Sequence, residues 1–197
     1  MPEMILLKLS SVALTREKQI PIEEEFSRYV QATNWVIKTL LKNRLIKKTQ
    51  IIDEIKEEFS ERFDNRETYL NDVVRSAAAE IARHRKLAIN IRSMRDKTPF
   101  FKKGRAIFSQ PIVEISEKAL ILTLADSTRV PIPYDKFSRN QNAGKIIEIL
   151  KGNPVKADTQ GRMPANKRYG RIRLTWNSQG FVNIVIRANL PSKAESE

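Results

Sequence analysis

A lone strand, cut off from every other strand of its chain, constrains the fold of this protein more than any single motif. Met4 to Leu9 carries Ile5, Leu6, Leu7 and Leu9 with only Lys8 interrupting, a strand pattern with Pro2 lying outside it. Three helical patterns follow before the next strand signal. Pro21 marks a break, and from Ile22 to about Leu45 the residues Phe26, Val30, Ile37 and Leu40 fall at helical spacing, with Glu23, Glu24 and Glu25 in the first turn where they suit the helix dipole. Thr49 caps a second helix with Ile51, Ile52, Ile55, Phe59 and Phe63 on its apolar face, ending near Asp64. Asn65 caps a third, from about Arg66 to Arg95, whose acids lie in its first half and whose bases crowd the second.

After Pro99 the character changes. Ile112 to Ile115, Ala119 to Leu124 and Arg129 to Ile132 are short apolar runs separated by turn residues, a three-stranded meander. Asn142 to Leu150 reads as a short helix with Ile146, Ile147 and Leu150 on one face, and Tyr169 to Trp176 with Phe181 to Leu190 forms a hairpin around Asn177, Ser178, Gln179 and Gly180. An isolated strand is not stable alone, so the first strand must pair with C-terminal strands, and the helices become an insertion in a β domain. The expected fold is therefore α+β: an antiparallel, β-barrel-like domain with a three-helix insertion after its first strand. Residues 1–20 hold that strand, 21–98 the insertion, 99–190 the rest of the β domain with a basic loop at 151–168, and 191–197 a frayed polar tail.

Charge narrows the function. The chain has 197 residues, 36 Lys and Arg against 23 Asp and Glu, and a net charge of +13. Residues 83 to 105 hold nine bases and one acid, residues 151 to 173 hold seven and one, and elsewhere twenty bases and twenty-one acids nearly cancel. Basic charge gathered in two stretches points to a polyanion, nucleic acid first and an anionic membrane surface second. No apolar run approaches the roughly 18 residues that span a bilayer, and the N-terminus lacks a signal peptide pattern, so a cytoplasmic protein without a membrane partner is expected.

Chemistry has little to work with. The chain contains no cysteine, which removes thiol catalysis and Cys-ligated metal. His84, the one histidine, sits among Arg83, Arg85 and Lys86 with no evident general-base partner. No Gly-rich phosphate loop is present, and the acids Asp53, Glu54, Glu57, Glu58 and Glu61 read as the exposed face of a helix rather than a metal site. No enzyme activity, cofactor or metal is expected.

Polyanion binding has better candidates. On the third helix Arg85, Arg92 and Arg95 are spaced seven and three apart, which places them on one face, with Lys86 beside them. Lys97, Lys102, Lys103 and Arg105 surround Phe100 and Phe101, and aromatic rings among bases can stack on unpaired nucleotides, although rings at this junction also suit packing of helix on sheet. In the last hairpin, Arg171 and Arg173 lie opposite Ile172 and Leu174, next to Lys167, Arg168 and Tyr169. Trp176 is in phase with the apolar residues.

Several strings carry a family resemblance: MILLKLS at the start, YVQATNWVIKTLL with Asn34, YLNDVVRSAAAEIARHRK, FFKKGRAIFSQPIVEISEKALILTL, and YGRIRLTWNSQGFVNIVIRANLP. In order and type they resemble the N-terminal half of the OrfB/TnpB transposon-encoded proteins, relatives of the type V CRISPR effectors. The resemblance implies a wedge domain, OB-like, split by a helical recognition insertion, that grips guide RNA and target DNA. It also implies a RuvC nuclease domain opening with Asp-x-Gly and a zinc ribbon with paired cysteines, and neither pattern is present. The expectation is a non-catalytic nucleic-acid-binding protein, RNA favoured over DNA, holding phosphates through Arg85, Lys86, Arg92, Arg95, Lys97, Lys102, Lys103, Arg105, Lys167, Arg168, Arg171 and Arg173. If about half of the clustered bases make contact, the salt slope of binding is roughly −5 to −7. The alternative is a structural or adaptor protein that docks an acidic partner or forms a homo-oligomer through the acidic second helix.

Overall fold

The computed structural model describes residues 3–43, 48–151 and 169–190. The chain divides into two compact units: a β unit built from Met1–Ile20 and Phe108–Glu197, and a helical unit, Pro21–Ile107. The elements in order are β1 (Glu3–Ser10), α1 (Arg16–Asn43), α2 (Lys48–Arg62), α3 (Glu67–Asn90), β2 (Arg105–Phe108), β3 (Val113–Ile115), β4 (Ala119–Thr123), β5 (Arg129–Pro133), α4 (Lys136–Leu150), β6 (Tyr169–Asn177) and β7 (Phe181–Leu190). The class is α+β, with α1, α2 and α3 inserted after the first strand and α4 between β5 and β6.

In the β unit, β1 finds the partner it cannot do without at the far end of the chain. It pairs antiparallel with β7 along its whole length, from Glu3 opposite Leu190 to Ser10 opposite Asn183, and β7 pairs in turn with β6 through the hairpin. The period-2 pattern decides which face is covered: Leu7, Leu9, Ile172, Leu174, Val182, Ile184 and Ile186 are buried while Leu6, Lys8 and Arg173 stand in solvent. Trp176, in phase with these apolar residues, is half-buried. Gly180 closes the hairpin at φ 85°, in the left-handed region, with the Gln19 amide so close that a Cβ there would meet Nε2 at 2.6 Å.

The barrel expectation is corrected. Among the described residues the strands make two separate antiparallel sheets, one in the order β1-β7-β6-β2 and the other β3-β4-β5, and no closed barrel. The reason is local pairing: the meander closes on itself through a tight turn at Ser127, and a single bridge between Ser11 and Tyr134 approaches β1 from β5. The short strand β2 is an addition to the strands expected from sequence.

Three helix boundaries also differ. Pro21 does not break the chain: α1 begins at Arg16 and runs through it, its first turn anchored on the Thr15 carbonyl, so that one missing N–H is tolerated in a helix whose next residue, Ile22, is fully buried. Asn65 is not the cap of α3. The cap is Arg66, with extended backbone, and the Asp64 carboxylate accepts its N–H at 2.9 Å. The helix read at 142–150 starts at Lys136, because the Asp135 side chain caps it by accepting from the N–H groups of Phe137 and Ser138. That cap holds the Asp135 carboxyl below its ordinary value, chiefly through the Ser138 hydroxyl. On α4, Ile146 and Ile149 face inward and Ile147 outward. The loop at 151–168 lies outside the described residues beyond Lys151, and so does the tail.

The helical unit is packed by aromatic rings. Tyr29, Tyr69, Phe59, Phe63, Trp35 and Phe101 form a chain of edge and tilted contacts with centroids 5.4 to 6.3 Å apart. Around them Ile22, Phe26, Val36 and Ile37 of α1, Ile51 and Ile55 of α2, and Leu70, Val73 and Ala77 of α3 are buried.

Candidate nucleic-acid interface

The basic stretch 83–105 lies wholly within the helical unit, and its conformation follows from where α3 stops. Ile91 is extended, at φ −117° and ψ 104°, and its N–H closes the helix on the Leu87 carbonyl at 2.8 Å. A short 3-10 turn, Arg92–Met94, follows. Arg95 then folds back: its Nε donates to the Ala88 carbonyl at 3.1 Å and Nη2 to the Ile89 carbonyl at 3.4 Å. The guanidinium thus satisfies carbonyls that the end of a helix leaves without partners, where a cation is also favoured by the helix dipole. The expected stripe of Arg85, Arg92 and Arg95 down one helix face is therefore corrected. Only Arg85 and Lys86 stand on α3; Arg92 lies in the 3-10 turn, and Arg95 caps the helix.

Glu80 claims two more bases. It is buried, and it accepts from Arg83 and, at 3.1 Å, from Nη2 of Arg105. The Arg105 guanidinium also lies over the Phe101 ring, 4.3 Å from its centroid. Phe101 itself is 2% exposed, and its ring meets Tyr29 edge-on at 5.7 Å. Its backbone is clasped by one side chain: Asn34 Oδ1 accepts the Phe101 N–H at 2.7 Å, and Asn34 Nδ2 donates to the Phe101 carbonyl at 3.1 Å. This clasp and the bond from the Tyr29 hydroxyl to the Ile107 carbonyl explain why the helical unit runs to Ile107 rather than ending at residue 98. Phe101 is a core residue, and the stacking expectation narrows to Phe100.

What remains is Arg85, Lys86, Arg92, Lys97, Lys102 and Lys103. All six are exposed, and none pairs with an acid among the described residues. Lys102 and Lys103 are presented by a turn in which Gly104 takes φ 74°, a conformation that favours glycine. His84 is half-buried on α3, with Nε2 lacking a hydrogen-bond partner among the described residues.

The β unit carries the other candidates, described by themselves. Arg173 is exposed on β6, Arg171 is half-buried, and between and beyond them Ile172 and Leu174 are fully buried. Tyr169 is buried and its hydroxyl bonds the Gln110 amide; burial raises the hydroxyl above its ordinary value. Lys167 and Arg168 lie outside the described residues.

Sequence reasoning missed a cluster of buried polar groups in the helical unit. Glu25 belongs not to an exposed acidic turn but to the interior, 1% exposed, with Arg28 at 3.0 Å and Arg66 at 3.5 Å. Burial raises its carboxyl above the ordinary value despite both cations. Arg66 also pairs with buried Asp64 at 2.7 Å. The signal was present: Ile22, Glu25, Phe26 and Tyr29 are spaced as one helical face. By contrast Asp53, Glu54, Glu57, Glu58 and Glu61 are exposed on α2 as expected. Among the described residues no group of three or more His, Asp or Glu could hold a metal ion, and no helix is long and apolar enough to cross a membrane. No family model matches the chain, and no curated protein sequence matches it.

Proposed function

We propose that this protein binds nucleic acid without catalysing a reaction on it, with RNA favoured over DNA, chiefly through phosphates. The observation that carries the reading is the set of six exposed bases between Arg85 and Lys103 that no acid neutralises among the described residues. Leaving positive charge uncompensated on one stretch raises its potential, and a phosphate backbone is the ligand that such a potential attracts and that releases counterions on binding. Arg173 adds an exposed base on the β unit. The order of elements supports a wedge, OB-like reading of the β unit and a kinship with the OrfB/TnpB-type proteins, in which a helical insertion and a β domain together grip RNA and DNA.

The test is binding of a labelled single-stranded RNA across a salt series. If each of the six bases neutralises one phosphate, their share of the slope of log affinity against log salt is about −4. The double change Lys102→Ala, Lys103→Ala lowers that slope by about 1.4. A slope shallower than about −2 overturns the proposal. A second reading rests on α2, whose exposed face holds Asp53, Glu54, Glu57, Glu58 and Glu61: a basic stretch and an acidic helix on one chain suit head-to-tail self-association or an adaptor role. Mass that rises with protein concentration, together with no retardation of RNA, selects it.

A further inference from the structure

Two adjacent phenylalanines in the basic stretch have opposite fates, and the contrast identifies a site. Phe101 is locked: its ring is buried against Tyr29, Arg105 covers it, and Asn34 holds both its N–H and its carbonyl. The residue before it is therefore carried on backbone whose position is fixed by the core of the helical unit. Phe100 is 62% exposed, a large apolar ring standing in solvent between Lys97 and the Lys102–Lys103 pair. Nothing among the described ring contacts or cation contacts involves it.

An exposed aromatic ring costs free energy in water, and this one sits on an anchored segment rather than a loose one. Anchoring lowers the ordering cost of any contact the ring makes. The ligand must have an anionic part, for the lysines, and a flat apolar face, for the ring. We infer that Phe100 is a stacking platform for an unpaired base of a single strand whose phosphates are held by Lys97, Lys102 and Lys103. This rests on the nucleic-acid reading and adds to it a preference: a paired base inside a duplex has no free face to offer, so Phe100 discriminates single strands from duplexes while the lysines do not.

The experiment compares the full chain with Phe100→Ala and Phe100→Trp, each against single-stranded RNA, a duplex of the same length, and heparin as a polyanion without bases. Because Phe100 is 62% exposed, both variants keep the parent's circular dichroism. Phe100→Ala weakens single-strand binding by about 5- to 150-fold, the range of one lost base stack. Its binding of duplex and heparin changes less than about 2-fold, its salt slope is unchanged, and Phe100→Trp restores or strengthens single-strand binding. Equal losses on single strand and duplex, or no loss on either, overturn the stacking site while leaving the nucleic-acid reading intact. Failure of the parent chain to bind any of the three at low salt overturns both. Loss by Phe100→Ala of binding to anionic phospholipid vesicles, with RNA binding unaffected, overturns the inference in favour of membrane insertion of the ring.

Discussion

The two units are held together by different physics. In the β unit, Ser11 is the one buried residue of polar type among the described residues, and it is spent on the backbone: its hydroxyl accepts from the Val182 N–H at 2.8 Å and donates to the Val12 carbonyl at 2.8 Å. Apart from the hydroxyls of Tyr134 and Tyr169, the other buried side chains of that unit are apolar. The helical unit instead buries Glu25, Thr33, Asp64, Asp72, Ser76 and Glu80. Tyr29 ties α1 to α3 there, its hydroxyl 2.7 Å from Ser76 Oγ and 3.3 Å from the Asp72 carbonyl. Burial of charge is expensive unless every group is paired, so the helical unit obtains its geometry from directional bonds where the β unit obtains it from packing. In the basic stretch, which grows from the unit with the directional interior, Glu80 and the Asn34 clasp decide which bases are paired and which ring is buried.

The contrast can be broken in three ways. The largest effect belongs to the β unit. Ile184 is fully buried on the central strand, opposite both Leu9 and Leu174, and Ile184→Ala lowers stability by about 2–5 kcal/mol in urea unfolding, nearly independent of pH between 5 and 8. A cost below about 1 kcal/mol means that the sheet interior is not the packed core described here. Next comes Tyr29→Phe, which keeps the ring and removes only the hydroxyl, and with it the bonds to Ser76 Oγ and to the Ile107 carbonyl. The expected loss is about 1–3 kcal/mol, and a neutral result means that packing alone organises the helical unit.

The smallest effect is a difference between two pH values. Glu25 has its carboxyl raised by burial, so the fold holds that proton more tightly than the unfolded chain does. Its contribution to stability is then most favourable at low pH and declines as pH rises from the ordinary value of 4.5 through the raised one. Gln at this position does not titrate. The stability of Glu25→Gln relative to the parent is therefore higher at pH 7 than at pH 4, whatever its absolute cost. The opposite trend means that Arg28 and Arg66 outweigh desolvation and that the carboxyl is held ionised.

Much of the β unit was legible because its signals are local and periodic. Ile172, Leu174, Val182, Ile184 and Ile186 alternate, the turn residues fall between them, and a strand without a neighbour has to look for one. Asp135 carries an equally local signal, a helix-capping residue one position before α4. Pro21 is a breaker by its own chemistry, yet burial of Ile22 and Phe26 outweighs one missing hydrogen bond. In the candidate site the excess of positive charge was visible, but its allocation was not. Residue spacing treats Arg85, Arg92 and Arg95 alike until it is known that the helix ends at Asn90, and treats Phe100 and Phe101 alike until it is known that the Phe101 ring packs on Tyr29. Those distinctions are made by tertiary contacts between residues as distant as Asn34 and Phe101.

The pairing of β1 with β7 also imposes an order on the making of the protein. Glu3 leaves the ribosome early and its partner Leu190 late, an interval on the order of 10–40 s at ordinary rates of translation. The whole of the helical unit, contiguous from Pro21 to Ile107, emerges inside that interval. A nascent chain of this kind has its basic stretch out before the first strand has anything to pair with, so the helical unit can fold before the β unit exists.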